Sequence, residues 1–140
     1  MKKTGTPGNL TWRIETDNAG EPSGSLVDAN ATGTISNSDV DTDYDYVHDD
    51  ASGIFSLDAN TRYWLVFYQG ATADASNYYS FAVPTNSTYP RGRAIYSNNS
   101  GGTWQEFSNK TDIGFRILYG GTQATVVNFG HTVDYVKKYL

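Results

Sequence analysis

The densest array of chemically capable side chains is DVDTDYDYVHDD (39–50), in which Asp39, Asp41, Asp43 and Asp45 take alternate positions and Asp49 and Asp50 follow. Calcium is bound by several hard oxygen ligands at once, and this run could supply them. It is not an EF-hand loop, because Tyr44 stands at the sixth position, where that loop needs glycine. A strand here would direct the alternate carboxylates to one face as repelling neighbours. The second reading is therefore a solvated acidic edge that discourages sheet-to-sheet association.

A second chemistry is offered by aromatic rings beside amides and guanidiniums. Sugar C–H faces stack on rings while hydroxyls need directional polar partners. The candidates are Tyr78 and Tyr79 after Asn77, the loop holding Tyr89, Arg91 and Arg93, Tyr96 with Asn98 and Asn99, and Trp104 with Gln105. Adjacent tyrosines on a strand point to opposite faces, so only one of Tyr78 and Tyr79 can be core. Core packing is the alternative for Tyr96 and Trp104, whereas Tyr89 and Arg91, in a Pro-bounded loop, are expected to be exposed.

Catalytic chemistry is poorly supplied. His48 and His131 lie far apart in the chain, and no HExxH, GxSxG or Gly-rich phosphate loop occurs. A pair such as Asp45 and Glu106 could flank a glycosidic bond, but nothing in the sequence sets their separation. The chain has no cysteine, which excludes disulfides, thiolate metal sites and a Cys nucleophile. No catalytic residue is assigned, and the expectation is a protein that is not an enzyme. The sequons at Asn9, Asn30, Asn86, Asn98 and Asn109 follow from a Ser/Thr/Asn-rich composition.

The elements that must position these residues read as strands. Ten basic against fifteen acidic residues give a net charge of -5, which opposes a nucleic-acid partner. No apolar run is long enough for a membrane span, and MKKTGTPGNL passes from two lysines directly into Gly and Pro, unlike a signal peptide. NLTWRIET (9–16) alternates apolar Leu10, Trp12 and Ile14 with polar partners. DNAGEPSG (17–24) reads as a loop, and 25–35 as a strand that Gly33 could interrupt with a bulge. Further strand signals fall at 44–48, 53–57, 78–83, 93–97, 103–107 and 112–120. TRYWLVFYQG (61–70) is the strongest, with six successive apolar or aromatic residues from Tyr63 to Tyr68, as in a strand packed on both faces. Gly120-Gly121 signals a hairpin, and the tail HTVDYVKKYL reads equally as a last strand or a short amphipathic helix. Eight or nine short strands without a crossover helix predict an all-β antiparallel sandwich, jelly-roll-like. It would be a single domain over 1–140, with 121–140 as a C-terminal extension.

Three stretches carry a resemblance: GTPGNLTWRIETDNAGEPSG, TRYWLVFYQG, and NYYSFAVPTNSTYPRGRAIYSNNSGGTWQ, closed by DIGFRILYG. In that order they resemble the jelly-roll-like surface modules of bacterial exported proteins and phage structural proteins, some of them grouped as choice-of-anchor domains. The resemblance covers about residues 5–120 and implies the fold and a setting on an extracellular surface or virion. Such modules commonly have a further strand before the KKTGTPGN segment, so residues 121–140 are expected to take its place, or the ends to engage a neighbour. The acidic 39–50 run is a second departure. Two functions are consistent with this reading. One is a non-catalytic module that binds surface glycans, with calcium as a possible cofactor. The other is a capsid, fibre or decoration module that self-associates or docks onto a larger assembly.

Overall fold

The computed structural model describes residues 1–69, 74–82 and 94–107, and the backbone of three further strands at 119–120, 124–125 and 133–139. The chain is all-β. In order, its strands are β1 (Lys2–Thr4), β2 (Leu10–Asn18), β3 (Glu21–Leu26), β4 (Thr32–Ile35), β5 (Tyr63–Gln69), β6 (Tyr78–Ser80), β7 (Ile95–Ser97), β8 (Gln105–Glu106), β9 (Tyr119–Gly120), β10 (Ala124–Thr125) and β11 (Val133–Tyr139), with one 3-10 turn at Asn37–Asp39. Among the described residues no helix is long and apolar enough to cross a membrane.

β2 and β5 form the centre, antiparallel through seven pairs from Leu10↔Gln69 to Thr16↔Tyr63. The main sheet runs β3-β2-β5-β11-β7-β8, with β4 beside β2, while β1-β6 and β10-β9 form two separate ribbons. The loop expected at 17–24 is a hairpin. Only Ala19 and Gly20 turn, with φ of 53° and 91°, the left-handed pair that matches strand twist. Pro22 is accommodated because β3 is an edge strand paired with β2 alone. The strand expected over 25–35 is two strands, because Asp28 closes a turn on the amides of Asn30 and Ala31. Gly33 is not a bulge, since its pairing with Trp12 is in unbroken register. A side chain there would collide with the Trp12 indole and the Asp49 carboxylate that hydrogen-bonds it, so glycine serves close approach.

Alternation on β2 sends Leu10, Trp12 and Ile14 to one face, opposite Phe67 and Leu65 of β5. That face carries two buried clusters: Ile14, Ala31, Tyr63 and Leu65 under Phe55 and Leu57, and Leu10, Ile35, Val40 and Tyr79 with Met1, Val47 and Phe81. The β1-β6 ribbon thereby covers one end of the sheet, with the Phe81 ring 5.0 Å from that of Phe67. The opposite face buries Trp64, Val66 and Ile95 against Trp104. β5 is thus packed on both sides, which is why its sequence is continuously apolar.

Two expectations are corrected. The sheet is not purely antiparallel, because β11 runs parallel to both β5 and β7. A parallel pair needs a long crossover rather than a turn, so turn signals could not reveal it. The backbone of 133–139 is accordingly strand, not helix, and the 121–140 extension contributes to two sheets. Segments 44–48 and 53–57 form no ladder, although burial alternates from Tyr46 to Leu57.

Candidate recognition surface

Tyr96 sits at the centre of β7, between buried Ile95 and Ser97, and so points to the other side of the strand. Its cross-strand partner is Gln105. The Tyr96 hydroxyl donates to Gln105 Oε1 at 2.6 Å, and the Phe107 ring lies 4.9 Å from that of Tyr96, tilted by 42°. Gln105 is exposed and both rings are half-buried. Among the described residues its amide nitrogen, a donor, has no hydrogen-bond acceptor.

The connecting turn is held by its own side chains. Ser97 Oγ, fully buried, accepts from the Gly101 amide at 2.8 Å, and Asn99 Oδ1 accepts from the Thr103 amide at 2.9 Å. Asn99 Nδ2 donates to Thr103 Oγ1 at 3.0 Å. Ser100 and Gly101 take positive φ, which only a tightly specified turn sustains. Asn99 is therefore committed to the turn, while Asn98 is exposed beside it.

The other expected ligand residues separate. Trp104 packs on the Trp64–Val66–Ile95 cluster and does not join Tyr96. Tyr78 lies half-buried in the β1-β6 ribbon, paired with Thr4. Tyr79 is a correction: it is 4% exposed, part of the core, and its hydroxyl donates to the Gly8 carbonyl at 2.9 Å, so its ring offers no platform. Tyr89, Arg91 and Arg93 lie outside the described residues.

Burial pushes the Tyr79 phenol above its ordinary 10.0, the Asn37 side chain pulling the other way. A raised folded pKa leaves stability unaffected below the unfolded value, and stability is lost as pH rises through the folded one. Tyr79→Phe is expected to cost about 1 kcal/mol at neutral pH through the lost hydrogen bond. It should also flatten the loss of stability above pH 10. Urea unfolding at both pH values checks this, and an unchanged alkaline slope would contradict it.

The carboxylates expected to ligate calcium do not converge. Asp39 ends the 3-10 turn, Asp41 accepts from Thr42 N at 2.5 Å, and Asp45 accepts from Tyr46 N at 2.7 Å. The Asp41 carboxyl is held below its ordinary value, first by the Thr42 amide and then by that of Asp43. Aspartates bonded to the following amide compete with a strand ladder, which explains why the run is not a strand. Among the described residues no group of three or more His, Asp or Glu is placed to hold a metal ion.

The sequence reasoning passed over Tyr44, Tyr46 and Ile54, whose exposures are 55%, 96% and 92%. No sequence signal marked the tyrosines, because rings alternating with aspartates read equally as an amphipathic strand with its rings turned inward. Comparison with family models, curated proteins and solved structures finds no match to this chain.

Proposed function

We propose that the chain is a non-catalytic recognition module of jelly-roll-like sandwich type, displayed on an extracellular surface or virion, and that it binds glycans through the face formed by Tyr96, Gln105 and Phe107. The observation that carries this reading is the ring pair beside an exposed amide, on two strands joined by a turn that its own side chains hold. The rings present C–H-stacking surface, and the Gln105 amide supplies a directional donor for a hydroxyl, the two things sugar recognition needs. The neighbouring turn is already ordered, so binding would not have to order it. The surface setting rests on the resemblance of the GNLTWRIET, TRYWLVFYQG and NYYSFAV stretches. A shallow face of this size implies weak single sites, made effective by repetition in an assembly.

A multivalent glycan array, run with and without calcium, tests the reading. Binding is expected, and Tyr96→Ala and Gln105→Ala should each reduce it at least tenfold in a chain that remains folded. Silence at high display density in both buffers, or binding indifferent to both substitutions, would sink the proposal.

A further inference from the structure

The hydrogen bond between Tyr96 and Gln105 has a direction. Gln105 Oε1 carries no proton, so the Tyr96 hydroxyl is the donor across the 2.6 Å contact. The amide oxygen is thereby committed. Its nitrogen, with two N–H groups, has no acceptor among the described residues. An amide that accepts at its oxygen is polarised and donates more strongly at its nitrogen. The donor is also held in position: Gln105 pairs with Tyr96 in the β7-β8 ladder, and the joining turn is closed by Ser97 and Asn99. Little of the freedom of this side chain is left to lose on binding.

Beside the donor lie the Tyr96 and Phe107 rings, with centroids 4.9 Å apart and planes tilted by 42°. Apolar surface next to a fixed donor suits a ligand group that is an acceptor at one end and apolar at the other. A sugar hydroxyl is a poor match, because it donates and accepts alike and water serves the donor equally well. The Tyr96 oxygen can still accept from such a hydroxyl, but hydroxyls are common to all sugars and give no selection. A carboxylate or sulfate is a stronger acceptor and calls for a cationic partner. The described side chains of β7 and β8 carry one charge, that of the exposed Glu106, in a chain of net charge -5. That field disfavours an anionic ligand. An acetamido group meets both requirements without charge, through a carbonyl for the N–H and a methyl for the rings.

We infer that the sugar bound at this face carries an acetamido substituent, with its carbonyl accepting from Gln105 Nε2 and its methyl lying against the Tyr96 and Phe107 rings. The inference rests on the glycan reading and adds to it the class of sugar.

Matched ligands isolate the group. A multivalent array carries glucose, galactose and mannose termini, each beside its acetamido counterpart, the corresponding free amine and the corresponding uronic acid. The parent chain is expected to favour at least one acetamido sugar over its hydroxyl counterpart by roughly tenfold, the effect of one good hydrogen bond to a fixed donor. Gln105→Glu is the decisive variant. Its carboxylate still accepts from the Tyr96 hydroxyl, so the ring pair is kept while the free donor becomes an acceptor. Gln105 is exposed, and thermal unfolding of the variant should match that of the parent. The variant is expected to lose the acetamido preference and to shift toward the free amine. Equal binding of acetamido and hydroxyl members, a preference for the uronic acids, or an acetamido preference that survives Gln105→Glu would overturn the inference and leave the glycan reading standing. Silence of the whole array would remove both.

Discussion

Trp64→Ala is expected to remove about 3–5 kcal/mol, enough to leave a domain of this size largely unfolded at moderate temperature. Trp64 is the largest fully buried side chain described, at 0% exposure, and it forms one cluster with Val66, Ile95 and Trp104. Alanine would leave a cavity that neighbours on two strands cannot close without breaking register with β2. The substitution also strips Asp17 Oδ1 of the indole N–H at 2.8 Å. That loss is softened, because Asp17 Oδ2 still accepts from Gly20 N at 3.1 Å and Arg62 stands 3.9 Å from Oδ1. Trp64→Phe keeps most of the volume and isolates the hydrogen bond, so it should cost clearly less. Equilibrium urea unfolding of both variants is the measurement. A loss below about 1 kcal/mol for alanine, less than the usual cost of emptying a buried aromatic site, would mean that this face of the sheet is not closed.

The second large effect is expected at Glu15, a carboxylate 2% exposed in the middle of β2. It is buried because it is fully partnered. Arg13 Nε donates at 2.5 Å, and Gly24 N donates to the other oxygen at 2.7 Å. Gly24 can do so because the register between β2 and β3 shifts after Asp17↔Pro22, and its φ of 79° turns its amide out of the ladder. Arg13 also donates to Gly24 O and lies over the Tyr68 ring. Glu15→Ala deprives a guanidinium and a main-chain amide of their acceptor together. The cost of breaking a buried pair is about 3–5 kcal/mol, reduced here to about 2–3 because water can reach Arg13. The Arg13 side chain is 28% exposed. Glu15→Gln, which keeps an acceptor for Gly24, should recover part of the loss. Thermal unfolding that ranks alanine and glutamine equally would show that the charge, not the geometry, is what matters at this position.

Much of the central sheet was legible because it obeys local rules. The period of two in LTWRI and the unbroken apolar run in YWLVF identify β2 and β5 before any pairing is known. The opposed orientation of Tyr78 and Tyr79 follows from the same period, and it is Tyr79 that the core takes. Segment 44–57 shows where that rule misleads. From Tyr46 to Leu57 burial does alternate, but through packing on the sheet's buried clusters rather than through a ladder, and at its start the Asp45 carboxylate takes the Tyr46 amide that a ladder would use. The hairpin at Ala19-Gly20 is not legible in DNAGEPSG, because Pro22 and Gly24, which signal a loop in sequence, here serve an edge strand and a bulge.

By itself, the sequence determined that the chain is all-β, which residues alternate, and that aromatic and amide chemistry is abundant, because these depend on composition and short-range periodicity. Tertiary structure alone decided that β11 lies parallel between β5 and β7, that Glu15 can be buried, and that Trp104 joins Trp64 while Tyr96 joins Phe107. Strand order, register shifts and the choice of face are settled by contacts between residues distant in sequence, and their energies exist only once the partners have met.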